Sequence, residues 1–186
     1  MADDVPADFS EHQLTSKLVY DGHLLKVQED SVRLPDGKTA RREWVRHPGA
    51  VIIIPLLDEH TVVMERQFRY PLGRHFLELP AGKIEPGEEP LATAQRELME
   101  ECGYVARSWR HLATLHPCIG YSDERFELFL ARDLAPVERA LDEGEFLEVL
   151  PMAIKDVRQA IRDGRITDVK VVTGLALLQW DSELQV

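Results

Sequence analysis

Three glutamates, Glu97, Glu100 and Glu101, close one helical segment of this 186-residue chain. Residues three and four apart share a helix face, so their Cβ atoms stand roughly 5–6 Å apart and like charges there cost a few tenths of a kcal/mol per pair. The end of a helix is already negative, and each further anion costs up to roughly 1 kcal/mol. Local energetics would place Lys or Arg here, yet Arg96 is the only basic neighbour. A solvated acidic face is one reading. The other is a site for hard divalent cations such as Mg²⁺, which take carboxylate oxygens, water and substrate phosphate and turn the repulsion into binding energy.

The elements that must position these carboxylates are legible around them. Leu91, Ala94, Leu98 and Cys102 recur at spacings of three, four and four; Pro90 stands near the first turn and Gly103 follows as a left-handed stop. This predicts an amphipathic helix with one buried stripe. Val51–Ile54, bounded by Pro48-Gly49 and Pro55, and Thr61–Glu65 read as strands buried on both faces. Further strands are expected at Trp109–Leu115, Phe126–Ala131 and Glu148–Leu150. Helices are expected over Ala153–Arg162, stopped by Gly164, and from Thr167 as N-cap to Trp180. Ahead of these, Lys17–Tyr20, Leu24–Leu34 and Thr39–Val45 read as strands, the last two joined by a Pro35-Asp36-Gly37 turn. The chain is therefore expected to be an α/β sandwich over residues 48–186 behind a small β extension over residues 1–47.

Gly82-Lys-Ile-Glu-Pro-Gly-Glu88, then seven residues, then Arg96-Glu97-Leu98-Met99-Glu100-Glu101-Cys102-Gly103-Tyr104, resembles the Nudix box. Every fixed position matches; only Tyr104 departs, an aromatic where the box has an aliphatic. The resemblance implies an α/β/α sandwich with a mixed sheet and hydrolysis of a nucleoside diphosphate linked to another group. It makes Glu97, Glu100 and Glu101 catalytic Mg²⁺ ligands (Mn²⁺ as the alternative), adds the backbone carbonyl of Ala81, and makes Glu88 and Arg96 a supporting pair that holds the loop onto the helix.

The flanks Arg42–Val51, Glu65-Arg66-Gln67-Phe68-Arg69 and Leu79-Pro80-Ala81-Gly82 are similar to the ADP-ribose pyrophosphatase branch of that family. This implies cleavage of ADP-ribose to AMP and ribose 5-phosphate. Arg42 and Arg69 would contact the substrate, since guanidinium groups bond phosphate and ribose oxygens in pairs. His23 stands where the branch has an aromatic that stacks on adenine. In Leu141–Phe146 the likeness assigns Glu143 as general base and Glu145 as a further metal ligand. Downstream of the box, Ser122, Asp123 or Glu124 could face the site. Another nucleoside diphosphate sugar such as GDP-mannose, or a non-catalytic nucleotide-sensing module, are the alternatives.

Composition bounds these readings. A net charge of −11 and a pI near 5.1 argue against a nucleic-acid-binding protein, which needs clustered cations to displace counterions. No apolar run approaches the roughly 18 residues of a membrane span. Folding a chain of this size buries about 70% of its surface, so no disulfide is required. Cys102 and Cys118 do not form a metal-ligand spacing, and two cysteines fit a reducing cytoplasm. The β extension is too small to bury its own faces, which predicts a homodimer.

Overall fold

The computed structural model describes residues 8–141 and 144–183 and divides the chain into two compact units. One comprises the chain up to His47 together with Cys118–Glu124; the other comprises Pro48–Pro117 and the chain from Arg125 onward.

The first unit is an antiparallel sheet of β1 (His12–Asp21), β2 (Lys26–Arg33) and β3 (Thr39–Arg46), in the order β1-β2-β3. The expected turn joins β2 to β3, with Gly37 at φ +83° and its amide donating to the Leu34 carbonyl at 2.9 Å. Every position of β1 is exposed, while Gln28, Asp30 and Val32 of β2 are buried. Segment 118–124 is tied to the end of β3. Val45 N–H donates to the Tyr121 carbonyl at 2.8 Å, Ser122 Oγ donates to the Val45 carbonyl at 3.1 Å, and His47 N–H donates to Asp123 Oδ1 at 2.7 Å. Ser122 and Asp123 thus anchor a strand.

The second unit contains β4 (Ala50–Pro55), β5 (Thr61–Arg69), β6 (Arg74–Glu78), β7 (Ala81–Lys83), α1 (Pro90–Cys102), β8 (Tyr104–Leu115), β9 (Phe126–Pro136), β10 (Leu147–Ala153), α2 (Ile154–Arg162) and α3 (Val169–Glu183). Two sheets form: an antiparallel one in the order β10-β5-β6, and a mixed one in the order β7-β4-β9-β8 in which β4 runs parallel to β9. The two-residue period of β4 explains the layers. Val51 and Ile53 pack with Ala94, Leu98 and Cys102 of α1, whereas Ile52 and Ile54 pack with Val157 of α2 and Val171 and Leu175 of α3. Each fully buried aliphatic side chain of this kind contributes roughly 1.5–3 kcal/mol. The result is the α/β/α arrangement with a mixed sheet.

Differences from the sequence reading have local causes. β6 and β7 were not expected, being short, polar and, in β7, centred on a glycine. β8 starts five residues before Trp109, and β9 runs five residues past Ala131. In α1 the buried stripe is Thr93, Ala94, Leu98, Glu101 and Cys102, while Leu91 in the first turn is 40% exposed. Asp168 rather than Thr167 starts α3: its Oδ1 accepts the Lys170 amide at 3.3 Å, and Thr167 Oγ1 accepts from Arg74 Nη2 at 3.1 Å. Close packing of α3 depends on Gly174, where a β-carbon would lie 2.8 Å from Cδ1 of Leu79. No helix among the described residues is long and apolar enough to cross a membrane.

Candidate active site

The last two turns of α1 deliver the glutamates. Leu98 and Cys102 point into the core and fix the helix rotation, which turns Glu97 and Glu101 inward toward β7 and β5 and leaves Glu100 at the rim. Gly103, at φ +71°, ends the helix and donates its amide to the Met99 carbonyl at 3.0 Å.

Arg96 organises the metal-free cluster. Its Nε and Nη2 donate to Oε1 and Oε2 of Glu88, both at 3.1 Å, so the expected loop-to-helix pair is present. Its Nη1 donates to Glu97 Oε1 at 2.9 Å and Glu100 Oε2 at 3.0 Å. One guanidinium therefore bridges three carboxylates. The Arg96 contact holds Glu88 down to about 2, and the same contacts raise Arg96. Glu97 titrates above the usual carboxylate range because burial outweighs the Arg96 contact, with Glu100 and Glu145 pushing the same way.

Glu101 lies deeper, at 5% exposure, and its Oε2 accepts the Ala81 amide at 3.2 Å. Burial, then the charges of Glu65, Glu97 and Glu145, push it up to about 10. Alone in an apolar interior, a carboxylate protonates in this way. Gly82 makes the close approach possible, since a β-carbon there would fall 1.9 Å from Glu97 Oε1.

The structure adds Glu65, which the sequence reading passed over. It is 4% exposed on β5, accepts a hydrogen bond from Cys102 Sγ at 3.2 Å, and is pushed up to about 7, first by burial and then by Glu145 and Glu78. Its signal was available: Val63 faces α1, and a strand of period two turns residue 65 to the same side. Burial also raises the Cys102 thiol, which leaves it an inert structural group.

The other expected residues divide as follows. Glu145 lies close enough for its charge to raise Glu65, Glu97 and Glu101. Arg69 forms a two-pronged pair with Glu78 and is within electrostatic reach of Glu101. Arg42 and His23 belong to the first unit. There Arg42 pairs with Glu11, its Nε at 2.8 Å and its Nη2 on the other oxygen, and His23 is exposed in the β1–β2 connection. Glu143 lies outside the described residues.

Among the described residues, no three carboxylate, imidazole or thiol groups stand together as a ready metal cage. Arg96 draws Glu97 and Glu100 to itself, while Glu101 bonds Ala81. The donor set nevertheless fits a hard divalent cation: clustered carboxylate oxygens, two of their groups held above their normal titration range by burial and mutual repulsion, which a cation would relieve.

The chain matches the NUDIX domain over residues 46–172 and the nucleoside diphosphate sugar hydrolase N-terminal domain over residues 11–45. It is 39% identical over 179 residues to the methanol dehydrogenase activator of Bacillus methanolicus, covering 95% of this chain and 97% of that one. It is 38% identical over 177 residues to the ADP-ribose pyrophosphatase of Bacillus subtilis (strain 168), covering 94% and 96%. Among solved structures, an ADP compounds hydrolase superposes with a TM-score of 0.87 at 24% identity over 97% of this chain and 98% of that one, which establishes the fold. With every fixed position of the box present from β7 to the end of α1 and the domain match spanning most of the chain, the protein belongs to the Nudix hydrolase family.

Proposed function

We propose that this enzyme hydrolyses the diphosphate of ADP-ribose to AMP and ribose 5-phosphate in the cytoplasm, with Mg²⁺ and as a homodimer. The observation that carries the metal-dependent reading is the burial of Glu101 against Ala81 beside Glu65 and Glu97, an arrangement unfavourable for a metal-free fold. Magnesium would be held by Glu97, Glu100, Glu101, Glu145 and the Ala81 carbonyl, with Mn²⁺ as a substitute. When bound, it would supply positive charge against the charge that develops on the diphosphate.

The chain's own residues do the rest. Arg96 holds Glu88 through Nε and Nη2, contacts that would keep the helix end braced if Glu97 and Glu100 turned from Nη1 to a cation. Glu143 accepts the proton of the attacking water as its oxygen bonds to one phosphorus and the bridging oxygen leaves with the other phosphate. Arg69 and Arg42 hold the substrate so that a single phosphorus is presented in line, and His23 stacks on the base. Similarity to the Bacillus subtilis ADP-ribose pyrophosphatase over nearly the whole chain supports the choice of substrate. The two free cysteines support a reducing compartment. Dimerisation is supported by β1, which pairs only with β2 among the described residues and exposes Leu14, Leu18, Val19 and Tyr20.

Incubation with ADP-ribose and GDP-mannose side by side, with Mg²⁺ and with EDTA, tests the reading. ADP-ribose should be cleaved faster and only with the metal, giving AMP and ribose 5-phosphate. Faster cleavage of GDP-mannose would reassign the substrate, and binding without turnover of either would indicate a nucleotide sensor.

A further inference from the structure

Three elements bring charged side chains together behind Arg69. The Arg69 guanidinium donates from Nε to Glu78 Oε1 at 2.6 Å and from Nη2 to Glu78 Oε2 at 2.8 Å. Glu78, on β6, is 4% exposed at its side chain, whereas the Arg69 side chain is 44% exposed. On the other side of Glu78, Lys170 Nζ donates to Oε2 at 2.9 Å and to Asp168 Oδ1 at 3.1 Å, and the Lys170 side chain is itself only 16% exposed. Asp168 Oδ1 also accepts the Lys170 backbone amide, and its Oδ2 is buried without a hydrogen-bond partner among the described residues. The start of α3 is thus wired through a buried carboxylate to a half-exposed arginine.

Fold stability does not require this arrangement. Desolvating buried charges offsets most of their attraction, and apolar residues would dock α3 against β6 at least as well. A hydrogen-bonded charge network does confer fixed orientation. Oε1 of Glu78 is taken by Arg69 Nε, and Oε2 is shared between Arg69 Nη2 and Lys170, so the carboxylate cannot rotate without breaking bonds at both ends. Its plane sets the plane of the guanidinium, and the fork leaves Nη1 outside it, with no hydrogen bond to Glu78. Lys170 has a second effect. Glu78 needs a counter-charge at all times because it is buried, and the Lys170 ammonium stays in place when Arg69 shares its own charge with a phosphate.

We infer that Lys170 and Asp168 are positioning residues that act through Glu78 to present Nη1 of Arg69 to the diphosphate-bearing substrate. The inference rests on the reading above in which Arg69 contacts that substrate. It assigns a role in substrate binding to the N-terminal turn of α3, outside the Nudix box.

Steady-state kinetics of the full chain with Mg²⁺ and ADP-ribose, or GDP-mannose if that is the better substrate, tests it through Arg69→Ala, Lys170→Met, Lys170→Arg, Asp168→Asn and the Arg69→Ala/Lys170→Met double variant. Lys170→Met should raise KM by about 5- to 30-fold with kcat within about threefold of the parent, the signature of lost uniform binding. Lys170→Arg should recover most of that loss. The double variant should be no worse in KM than Arg69→Ala alone, because the two residues act in series. Asp168→Asn keeps its shape and should shift KM in the same direction by less, which keeps the test decisive if Lys170→Met fails to fold. If Arg69→Ala raises KM while Lys170→Met or Asp168→Asn lowers only the melting temperature, α3 is merely braced and the inference is wrong. If Arg69→Ala itself leaves KM unchanged, the substrate role of Arg69 falls and takes the inference with it.

Discussion

Glu97 fills the space that a side chain at Gly82 would need: a β-carbon there would sit 1.9 Å from Oε1 and 2.0 Å from the carboxyl carbon. β7 therefore lies directly on the acidic face of α1, with Ala81 bonded to Glu101 one residue before. Gly82 and Glu97 form one steric unit, although fourteen residues separate them.

Gly82→Ala should accordingly disable the site. Glu97 must swing away or β7 must lift, and either movement separates carboxylates that the proposed metal needs together. Turnover should fall by at least about 100-fold, as expected when small displacements disturb catalytic geometry, with the circular dichroism spectrum retained. A variant that kept most of its kcat would show that Glu97 can move without penalty and is no metal ligand.

Metal-free stability should depend on pH with a definite sign. Glu65 and Glu101 keep their protons in the fold up to about 7 and about 10, whereas the unfolded chain loses them near 4.5. The folded form thus binds more protons between these limits. Stability from these two groups is complete below the ordinary carboxylate value and falls as pH rises, by at most roughly 1.4 kcal/mol per pH unit for each retained proton. Melting in EDTA should show this decline between pH 5 and 9, and Mg²⁺ should flatten it.

Glu101→Gln isolates one half of that effect. At pH 5 in EDTA the variant should melt close to the parent, since glutamine resembles the protonated acid; by pH 9 it should melt several degrees higher. Its turnover with Mg²⁺ should fall by several orders of magnitude. A melting temperature several degrees below the parent at every pH would make the glutamate cluster structural.

Kinetics across a magnesium titration should separate the two loop glutamates. Glu143→Gln should lower kcat by about 10²- to 10⁴-fold with little change in KM, the range for loss of a general base. Glu145→Gln should weaken the metal instead, with activity partly recovered at high Mg²⁺. Near-normal kcat in Glu143→Gln would move the base to another carboxylate, and Glu65 would be the first to examine.

Sedimentation at micromolar concentration should give twice 21.2 kDa if β1 packs on a second copy. A charge placed on its exposed apolar side chains, as in Leu18→Glu, should shift the distribution toward monomer. A parent protein that sediments as a clean monomer would end the dimer proposal.

Much of the active-site helix was readable from local rules. The spacing of Glu97, Glu100 and Glu101, the stop at Gly103 and the burial of Val51–Ile54 on both faces all follow from residue types and periods that act within a few residues. The Glu88–Arg96 pair was implied by the resemblance to the Nudix box, and the structure shows it joining the loop before α1 to the middle of that helix, eight positions on. Leu91 was misjudged because periodicity gives the direction of a side chain without saying whether a neighbour covers it.

By itself, then, the sequence determined the family, the acidic face and the chemistry that face can support, since these reside in residue types at short spacing. Tertiary structure alone decided which carboxylates are buried and what meets them. Glu65 lies 37 residues from Cys102, and Glu78 lies 92 from Lys170, yet both pairs are hydrogen-bonded. Strand register and helix docking create such contacts. The same burial sets the charge of Glu65 and Glu101, because desolvation belongs to a position in space and cannot be read from neighbours in the chain.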